Sequence, residues 1–318
     1  MTKQISLSQQ IAEQSAGLRL DQAAVELFPD FSRGRLQQWI KSGELTVDGK
    51  HAKPSFRVVG GESLNIEAKM VAEGEVEPQD IPLDIIFEDE HLLVLNKPVG
   101  LVVHPAAGNW DGTLQNALLN YDPHLDTLPR SGIVHRLDKD TSGVMVVARS
   151  LKAHASLVNQ LQTRSMTRIY TAIVKGETPP TGTIDAAIDR NPRNRKKMAV
   201  VKDGKPSVSH YKLIQRLPGT SHIEVSLESG RTHQIRVHMT YIGYPIVGDL
   251  LYGRGPIKRK GIPALAVEAI NKFPRQALQA KTLKLIHPES GEECEFGATL
   301  VEDIRDLIET LKRSATDA

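Results

Sequence analysis

The sequence predicts an α+β fold in which a small N-terminal α/β unit precedes a larger domain built on a mixed, largely antiparallel sheet. The chain has 318 residues, and this length suits one domain of about 200–250 residues with a smaller one. Residues 68–82 are acidic and show no sustained hydrophobic period, so we interpret them as a linker. They separate residues 1–75, with a core of about 18–67, from residues 83–318. Beyond the linker, short turns join predicted strands as often as helices do, which favours antiparallel pairing.

Composition limits the classes of protein to which the chain can belong. Hydrophobic residues make up 40% and charged residues 25%, as in ordinary globular proteins, and the net charge of +2 neither requires nor excludes a nucleic-acid partner. Aromatic residues are only 4%, so a surface built on base stacking is not expected. Cys294 is the single cysteine, and neither a signal-peptide-like start nor a membrane-spanning apolar run is present. We therefore expect a cytoplasmic protein with no membrane partner, and we take it as a monomer.

The N-terminal unit begins with two predicted helices and continues with short strands. Apolar residues recur at helical spacing over Leu20–Leu27. Ser32 is placed to cap a second helix that ends at Gly43. The Asp48-Gly49 pair predicts a hairpin turn, and Val58–Ile66 supplies further strand residues.

The polar side of this unit is basic. The residues that we interpret as RNA-binding are Arg33, Arg35, Lys41, Lys50 and Lys53. On charge alone, a solvated helix face and an RNA-binding surface are equally good interpretations.

The larger region alternates apolar runs with turns, and each predicted helix has a cap residue or a period of its own. The strands that we predict are Ile85–Phe87, Leu92–Leu95, Val144–Ala148, Tyr170–Val174 and Ile223–Leu227. Ser150 caps a predicted helix, Thr232 caps another that ends at Gly243, and Val301–Leu311 forms the last.

Residues 132–149 are the most informative stretch of the chain. A charged turn, His135 to Asp140, directly precedes the apolar run Val144–Ala148. A turn anchored to a buried strand can hold a carboxylate at the edge of a cleft. Asp138 and Asp140 both qualify from this pattern, and turn closure or an ion pair is the alternative interpretation for each of them.

A second charged group lies in Glu228–His238. If a helix begins at Thr232, His233 and Arg236 share one face of it. A cation in the first turn gains nothing from the helix dipole, so Arg236 requires a carboxylate partner, and Asp138 is our candidate.

Three other kinds of site are not supported. His233 and His238 are five residues apart, which suits neither one helix face nor one strand face, so we expect no metal. The chain has no Gly-x-Ser-x-Gly elbow and no Gly-x-Gly-x-x-Gly loop, so neither a serine hydrolase nor a nucleotide cofactor is indicated. One carboxylate beside an arginine suits chemistry at a nucleoside's glycosidic bond. Isomerisation fits better than hydrolysis, which needs a second carboxylate.

Ordered motifs carry a resemblance to a known family. They are Asn96–Pro105, the His-Arg-Leu-Asp block at 135–138, Gly230–Met239, and Gly243–Asp249 followed by Tyr252-Gly253. With this order and spacing, the chain resembles the RluA-type pseudouridine synthases. The N-terminal unit resembles the S4 RNA-binding module, which favours the RNA-binding interpretation of its basic face.

The resemblance implies a pseudouridine-synthase fold for the larger domain and a role for each matching residue. Asp138 would be the catalytic nucleophile, Tyr170 would stack on the uracil and act in proton transfer at C5, and Arg236 would pair with Asp138. Arg136 would fill the space left by the flipped uridine. The other residues expected to bind substrate are His135, Arg231 and His233. The basic loop residues expected to contact RNA phosphates are Arg195, Lys196 and Lys197.

The S4-like unit together with residues 77–85 and 108–119 resembles the members of the family that act on the large ribosomal subunit, and this resemblance implies 23S rRNA as the substrate. The expected reaction is isomerisation of uridine to pseudouridine in a stem-loop, with no cofactor and no metal. The alternatives are another rRNA site or a tRNA, and a non-catalytic RNA-binding protein of ribosome assembly.

Overall fold

The computed structural model describes residues 3–29, 31, 33–70, 76–105, 111–253, 255–257 and 261–316. The chain divides into two compact units, Met1–Glu75 and Val76–Ala318. Ser32, the predicted N-cap, lies outside the described residues.

The N-terminal unit combines an antiparallel sheet with helices. Its elements are β1 (Lys3–Gln10), α1 (Leu20–Leu27), α2 (Arg33–Ser42), β2 (Leu45–Val47) and β3 (Ser63–Met70). β3 lies between the other strands, in the order β1-β3-β2. Leu20 and Leu36 from the helices and Ile66 from β3 are fully buried, so the helical and strand periods of the sequence meet in one core.

The connections of this unit agree with the sequence at the hairpin and differ from it at the linker. Asp48 has φ 48° and Gly49 φ 73°, the left-handed pair that a two-residue type I′ turn requires. The predicted linker starts too early, because β3 continues through Met70 and residues 68–70 pair with residues 3–5. Ala68 is buried in the core of the unit, and the acidic composition of the stretch conceals this burial.

The larger unit is built on a mixed sheet. Its strands are β4 (Ile85–Glu88), β5 (Leu92–Lys97), β6 (Ser142–Ala148), β7 (Thr167–Lys175), β8 (Thr181–Asp185), β9 (Ile188–Arg190), β10 (Met198–Val200), β11 (Val208–Leu217), β12 (Thr220–Leu227), β13 (Leu278–Ile286) and β14 (Glu293–Gly297). Its helices are α3 (Leu114–Tyr121), α4 (Leu151–Gln162), α5 (Gln234–Tyr241), α6 (Ala264–Lys272) and α7 (Glu302–Thr316).

The main sheet follows the order β4-β5-β6-β13-β7-β12-β11-β8, and β14 pairs with the second half of β13. Among the described strands of this unit, every pairing is antiparallel except that of β6 with β13. β9 and β10 form a separate hairpin. The predicted mixed, largely antiparallel sheet is therefore confirmed.

β6 is the buried strand that the sequence predicts after the charged turn. All of its residues are buried. Gly143 has φ 115°, and a Cβ at this position would lie 2.0 Å from the carbonyl oxygen of Ala280 in β13. Glycine is therefore required where the two parallel strands meet, and this close approach fixes the charged turn against the centre of the sheet.

The structure places a helix at each of the three predicted positions of this unit, but α3 and α6 were not predicted and α7 continues past the predicted end at Leu311. Ser150 caps α4 as predicted, since its hydroxyl accepts a hydrogen bond from the Ala153 N–H at 3.1 Å. The prediction that Thr232 caps α5 is wrong, because the cap is His233, with a left-handed φ of 58° and no capping hydrogen bond from its side chain. Gln234 Oε1 instead holds the preceding turn by accepting from the Arg231 N–H at 3.0 Å. Within the described ranges, no helix combines the length and apolarity that a membrane crossing requires.

Candidate active site

A cleft of about 640 Å³ opens in the larger unit, and three parts of the chain supply most of its lining residues. These parts are the turn before β6, the first half of β7, and the segment from Gly230 to Arg236 at the start of α5. Among the lining residues that the structure describes, Asp138 is the one carboxylate. The arginines that line the cleft are Arg130, Arg136, Arg168, Arg231 and Arg236. The cleft is therefore strongly cationic around a single acid.

A buried lysine holds the turn that carries Asp138. Lys97, at the end of β5, is fully buried, and its Nζ donates hydrogen bonds to the carbonyls of Pro98 at 2.8 Å, Leu101 at 2.9 Å and Lys139 at 3.0 Å. Burial lowers the pKa of Lys97 to about 8, although the nearby charge of Asp140 opposes this shift. The Thr141 N–H closes the turn by donating to the Asp138 carbonyl at 3.1 Å.

Arg236 projects from the first turn of α5 between two carboxylates. Its Nη1 donates to Asp138 Oδ2 at 2.9 Å, while Nε and Nη2 donate to the two oxygens of Asp249 at 2.7 and 3.0 Å. The Asp249 side chain is only 1% exposed. The backbone N–H groups of Leu251 and Tyr252 complete its hydrogen bonding. The primary partner of Arg236 is thus Asp249, which orients the guanidinium and leaves one N–H for Asp138.

This arrangement keeps the arginine and its anchor charged. Burial opposes the charge of Arg236, but the hydrogen bonds and charge of Asp249, followed by those of Asp138, raise the pKa of Arg236 above its ordinary value. Burial alone would raise the pKa of Asp249, but hydrogen bonds from Arg236 outweigh it and lower that pKa. Asp138 therefore faces a fixed cation.

His233 lies on the other side of Asp138. Its Nε2 is 3.9 Å from Asp138 Oδ1, and its Nδ1 is 2.8 Å from the Tyr252 hydroxyl. Burial lowers the pKa of His233 even though the charge of Asp138 opposes this, so the imidazole is neutral at neutral pH. The Tyr252 ring stacks below the Arg236 guanidinium at 5.1 Å, and its hydroxyl accepts from the Met198 N–H at 2.9 Å.

Tyr170 and Arg168 form one wall of the cleft. They are two residues apart on β7, so their side chains point to the same side of the sheet, and both are buried. Burial raises the pKa of Tyr170, so its phenol stays protonated. The ring can serve as a platform for a planar ligand beside Asp138.

The remaining predicted substrate residues differ in their surroundings. His135 lines the cleft, but its Nε2 accepts a hydrogen bond from the Val146 N–H at 3.1 Å, and burial lowers its pKa to about 3. It is therefore a neutral residue that ties the turn to β6. Arg136 is exposed and makes no hydrogen bond or ion pair within the described part of the chain. Arg231 is exposed, and its Nε donates to the Pro206 carbonyl at 3.3 Å.

The predicted RNA-binding residues are for the most part exposed. Lys41, Lys50 and Lys53 are exposed on the N-terminal unit, as are Arg195 and Lys196 in the β9–β10 turn. Lys197 is half-buried, and its Nζ donates to the Leu251 carbonyl at 2.7 Å, so its ammonium is used within the protein. The side chains of Arg33 and Arg35 lie outside the described part of the structure.

Besides Arg168, which lies two residues before the predicted Tyr170, three residues of the site did not appear among the predicted site residues, namely Lys97, Asp249 and Tyr252. Each falls within a motif that carries the family resemblance, and that was the available signal. Their roles depend on contacts between distant segments. In the described ranges, no group of three or more His, Cys, Asp or Glu residues is arranged to hold a metal ion.

Comparison with known proteins finds a match for each of the two units. Residues 91–241 match the family described as RNA pseudouridylate synthase, and residues 18–64 match the S4 domain. The solved structure of human RNA pseudouridylate synthase domain containing 4 covers 72% of this chain and 93% of its own, with a TM-score of 0.57 at 23% identity, which supports the fold.

Curated relatives match over nearly the whole chain. The ribosomal large subunit pseudouridine synthase D of Pseudomonas aeruginosa is 51% identical over 317 residues, which cover 98% of each chain. The protein of the same name from Xanthomonas campestris is 50% identical over 308 residues, covering 97% of this chain and 93% of the relative. The one from Escherichia coli K12 is 47% identical over 313 residues, covering 98% and 96%. The chain belongs to the RNA pseudouridylate synthase family and carries an N-terminal S4 domain, as its motifs predict.

Proposed function

We propose that this pseudouridine synthase acts on uridines in the 23S rRNA of the large ribosomal subunit, in a stem-loop, as a cytoplasmic monomer. Sequence identity is the observation that supports this substrate. About half of all residues, over nearly the full chain, are identical to those of relatives named for the ribosomal large subunit. The S4 domain and the cationic cleft support an RNA substrate in general.

Asp138 is the proposed catalytic carboxylate. The reaction breaks the bond between C1′ of the ribose and N1 of uracil, rotates the base, and forms a bond from C1′ to C5. Attack at C1′, addition at C6 and proton abstraction at C2′ all require a carboxylate at the position of Asp138. Arg236, anchored by Asp249, bonds one oxygen of Asp138 and leaves the other open toward the cleft.

The other residues have proposed roles in binding the substrate and in proton transfer. We assign the ring of Tyr170 to stacking on the flipped uracil. We assign its protonated hydroxyl to relaying the proton that C5 loses, which it accepts while its own proton passes to water. Arg136 is exposed and makes no hydrogen bond or ion pair among the described residues. This supports its insertion into the space that the flipped uridine leaves in the RNA. Arg231 and His233 line the cleft as substrate contacts. His135 supports the turn from behind. Lys41, Lys50 and Lys53, together with Arg195 and Lys196, are suited to phosphate contacts.

The proposal is tested by tritium release from 23S rRNA labelled at C5 of uridine. The wild-type protein releases tritium, and Asp138→Asn lowers the rate by at least about a thousandfold because the reacting carboxylate is lost. Asp140→Asn is the matched control, since it removes a neighbouring carboxylate of the same turn and retains release. Equal release by wild type and Asp138→Asn contradicts the assignment.

The substrate is tested in cells. Carbodiimide labelling maps the pseudouridines in RNA from a wild-type strain and a deletion strain. We expect the deletion strain to lack pseudouridines in 23S rRNA, and the wild-type gene to restore them. If the deletion strain instead lacks a pseudouridine in a tRNA or another rRNA, that RNA is the substrate and 23S rRNA is not. If Asp138→Asn protein rescues every growth and assembly defect of the deletion, the non-catalytic assembly role is the physiological one.

A further inference from the structure

Arg168 is a buried cation without a partner. Only 8% of the residue is exposed, and its Nε is buried without a hydrogen bond. Within the described residues, its guanidinium makes neither a hydrogen bond nor an ion pair. Burying a charge costs free energy unless an opposite charge or hydrogen bonds compensate for it, and an arginine cannot escape that cost by deprotonation.

Among the described residues, no acid pairs with this arginine. Asp138, the carboxylate among the described lining residues, accepts from Arg236 through Oδ2. Glu228, which follows the strand paired with β7, is bonded to Arg164 and His210. Arg168 lines the cleft, so an anionic ligand bound there can supply the compensation that the described residues do not.

The chain keeps room for the guanidinium at this place. A Cβ on Gly230 would lie 2.6 Å from Arg168 Nη1, so any larger residue at position 230 displaces the side chain. Arg168 also lies two residues from Tyr170 on the same face of β7, a separation of about 7 Å along the strand. A base on the Tyr170 ring and a phosphate at Arg168 would be joined across one ribose.

We propose that Arg168 binds a backbone phosphate that flanks the flipped uridine. This inference rests on the proposed function, in which the uridine enters this cleft. A phosphodiester carries the full negative charge that a buried guanidinium lacks, whereas a uracil carbonyl would leave the charge uncompensated. Arg168 is thereby a substrate-binding residue that fixes the sugar relative to Asp138.

The first test is the stability of the protein without RNA. Arg168→Met replaces a partnerless buried charge by an apolar side chain of similar length. We expect its melting temperature to equal or exceed that of the wild type. A marked decrease means that Arg168 is a structural residue and overturns the proposal.

The second test is a double-mutant cycle between protein and RNA. The probe is a stem-loop that contains the mapped target uridine, with 2′-O-methyl groups that protect the altered linkages from hydrolysis. All proteins compared, including the one that is wild type at position 168, carry Asp138→Asn so that only binding is measured. Neutral methylphosphonate linkages replace the 5′ or the 3′ phosphate of the uridine in turn. At one of them we expect wild-type affinity to fall about tenfold to hundredfold, as for a charge-assisted hydrogen bond.

Arg168→Met weakens binding of the all-phosphate RNA by the same factor and is insensitive to that methylphosphonate. If the loss of affinity caused by Arg168→Met and the loss caused by the methylphosphonate multiply at both linkages, Arg168 contacts neither phosphate. Arg168→Lys keeps the charge and recovers part of the affinity. Arg216→Met, which removes an exposed arginine paired with Glu177, leaves binding unchanged. Failure of the wild type to modify the parent RNA counts against the proposed substrate and not against Arg168.

Discussion

The Arg236 guanidinium donates hydrogen bonds to two carboxylates, and these have different roles. Asp249 takes two of the donors and is almost completely buried, whereas Asp138 takes one and opens toward the cleft. The buried pair therefore fixes the direction of the cation, and the fixed cation orients Asp138, the half-buried acid that lines the cleft. Neither carboxylate alone explains the geometry.

Removing the charge of Asp249 should damage both folding and catalysis. We expect Asp249→Asn to lower the free energy of unfolding by about 3 kcal/mol, because a buried arginine loses its anchor. The rate of tritium release should fall at least about a hundredfold, with little change in KM, since Asp138 loses its orientation. Urea denaturation and single-turnover kinetics measure the two effects.

The matched control is Glu177→Gln, which breaks the exposed pair with Arg216 and should cost less than about 1 kcal/mol. A variant Asp249→Asn with wild-type stability and rate would show that Arg236 is held by other contacts.

At the scale of elements, the charged turn from His135 to Asp140 is held in place by the strands on either side of it. Gly143 lets β6 approach β13 closely, and Lys97 at the end of β5 ties the turn to the segment that follows β5. The turn is therefore held from two strands, which explains how a charged segment of six residues keeps a fixed shape.

The buried Lys97 should make stability depend on pH. Its pKa is about 8 in the folded protein and near 10.5 in the unfolded chain, so between these values the unfolded state binds more protons. The free energy of unfolding of the wild type should therefore rise from pH 8 to pH 10 relative to that of Lys97→Met, by about 1–3 kcal/mol. Urea denaturation of both proteins at the two pH values checks this, and a constant difference would show that Lys97 does not titrate in this window.

At the scale of the molecule, the sequence predicted what local patterns encode. The buried strand β6, the cap of α4 and the Asp48-Gly49 turn follow from periodicity and turn chemistry. β1 was not predicted, since in its sequence Lys-Gln-Ile-Ser-Leu-Ser-Gln-Gln only Ile5 is among the buried core residues, and the strand is defined by its pairing with β3. The roles of Asp249 and Lys97 were inaccessible for a similar reason, because a buried charge is recognised only by partners that folding brings together.

The division into an S4 domain and a catalytic unit predicts that affinity and rate can be changed separately. The triple variant Lys41→Gln, Lys50→Gln, Lys53→Gln removes three exposed charges from the S4 domain. If each contacts a phosphate, the slope of log Kd against log salt should fall by about 2–3, because each contact contributes roughly 0.7–0.9. KM should rise while the single-turnover rate at saturating RNA stays unchanged, since the cleft is intact.

The control triple Lys152→Gln, Lys272→Gln, Lys284→Gln removes the same net charge from lysines that are paired with acids on the larger unit. It should change the slope of log Kd against log salt by less than about 0.9, the contribution of one phosphate contact. An equal loss of slope in both triples would mean that overall charge, and not the face of the S4 domain, attracts the RNA. An unchanged slope in the S4 triple would remove these three lysines from the RNA interface.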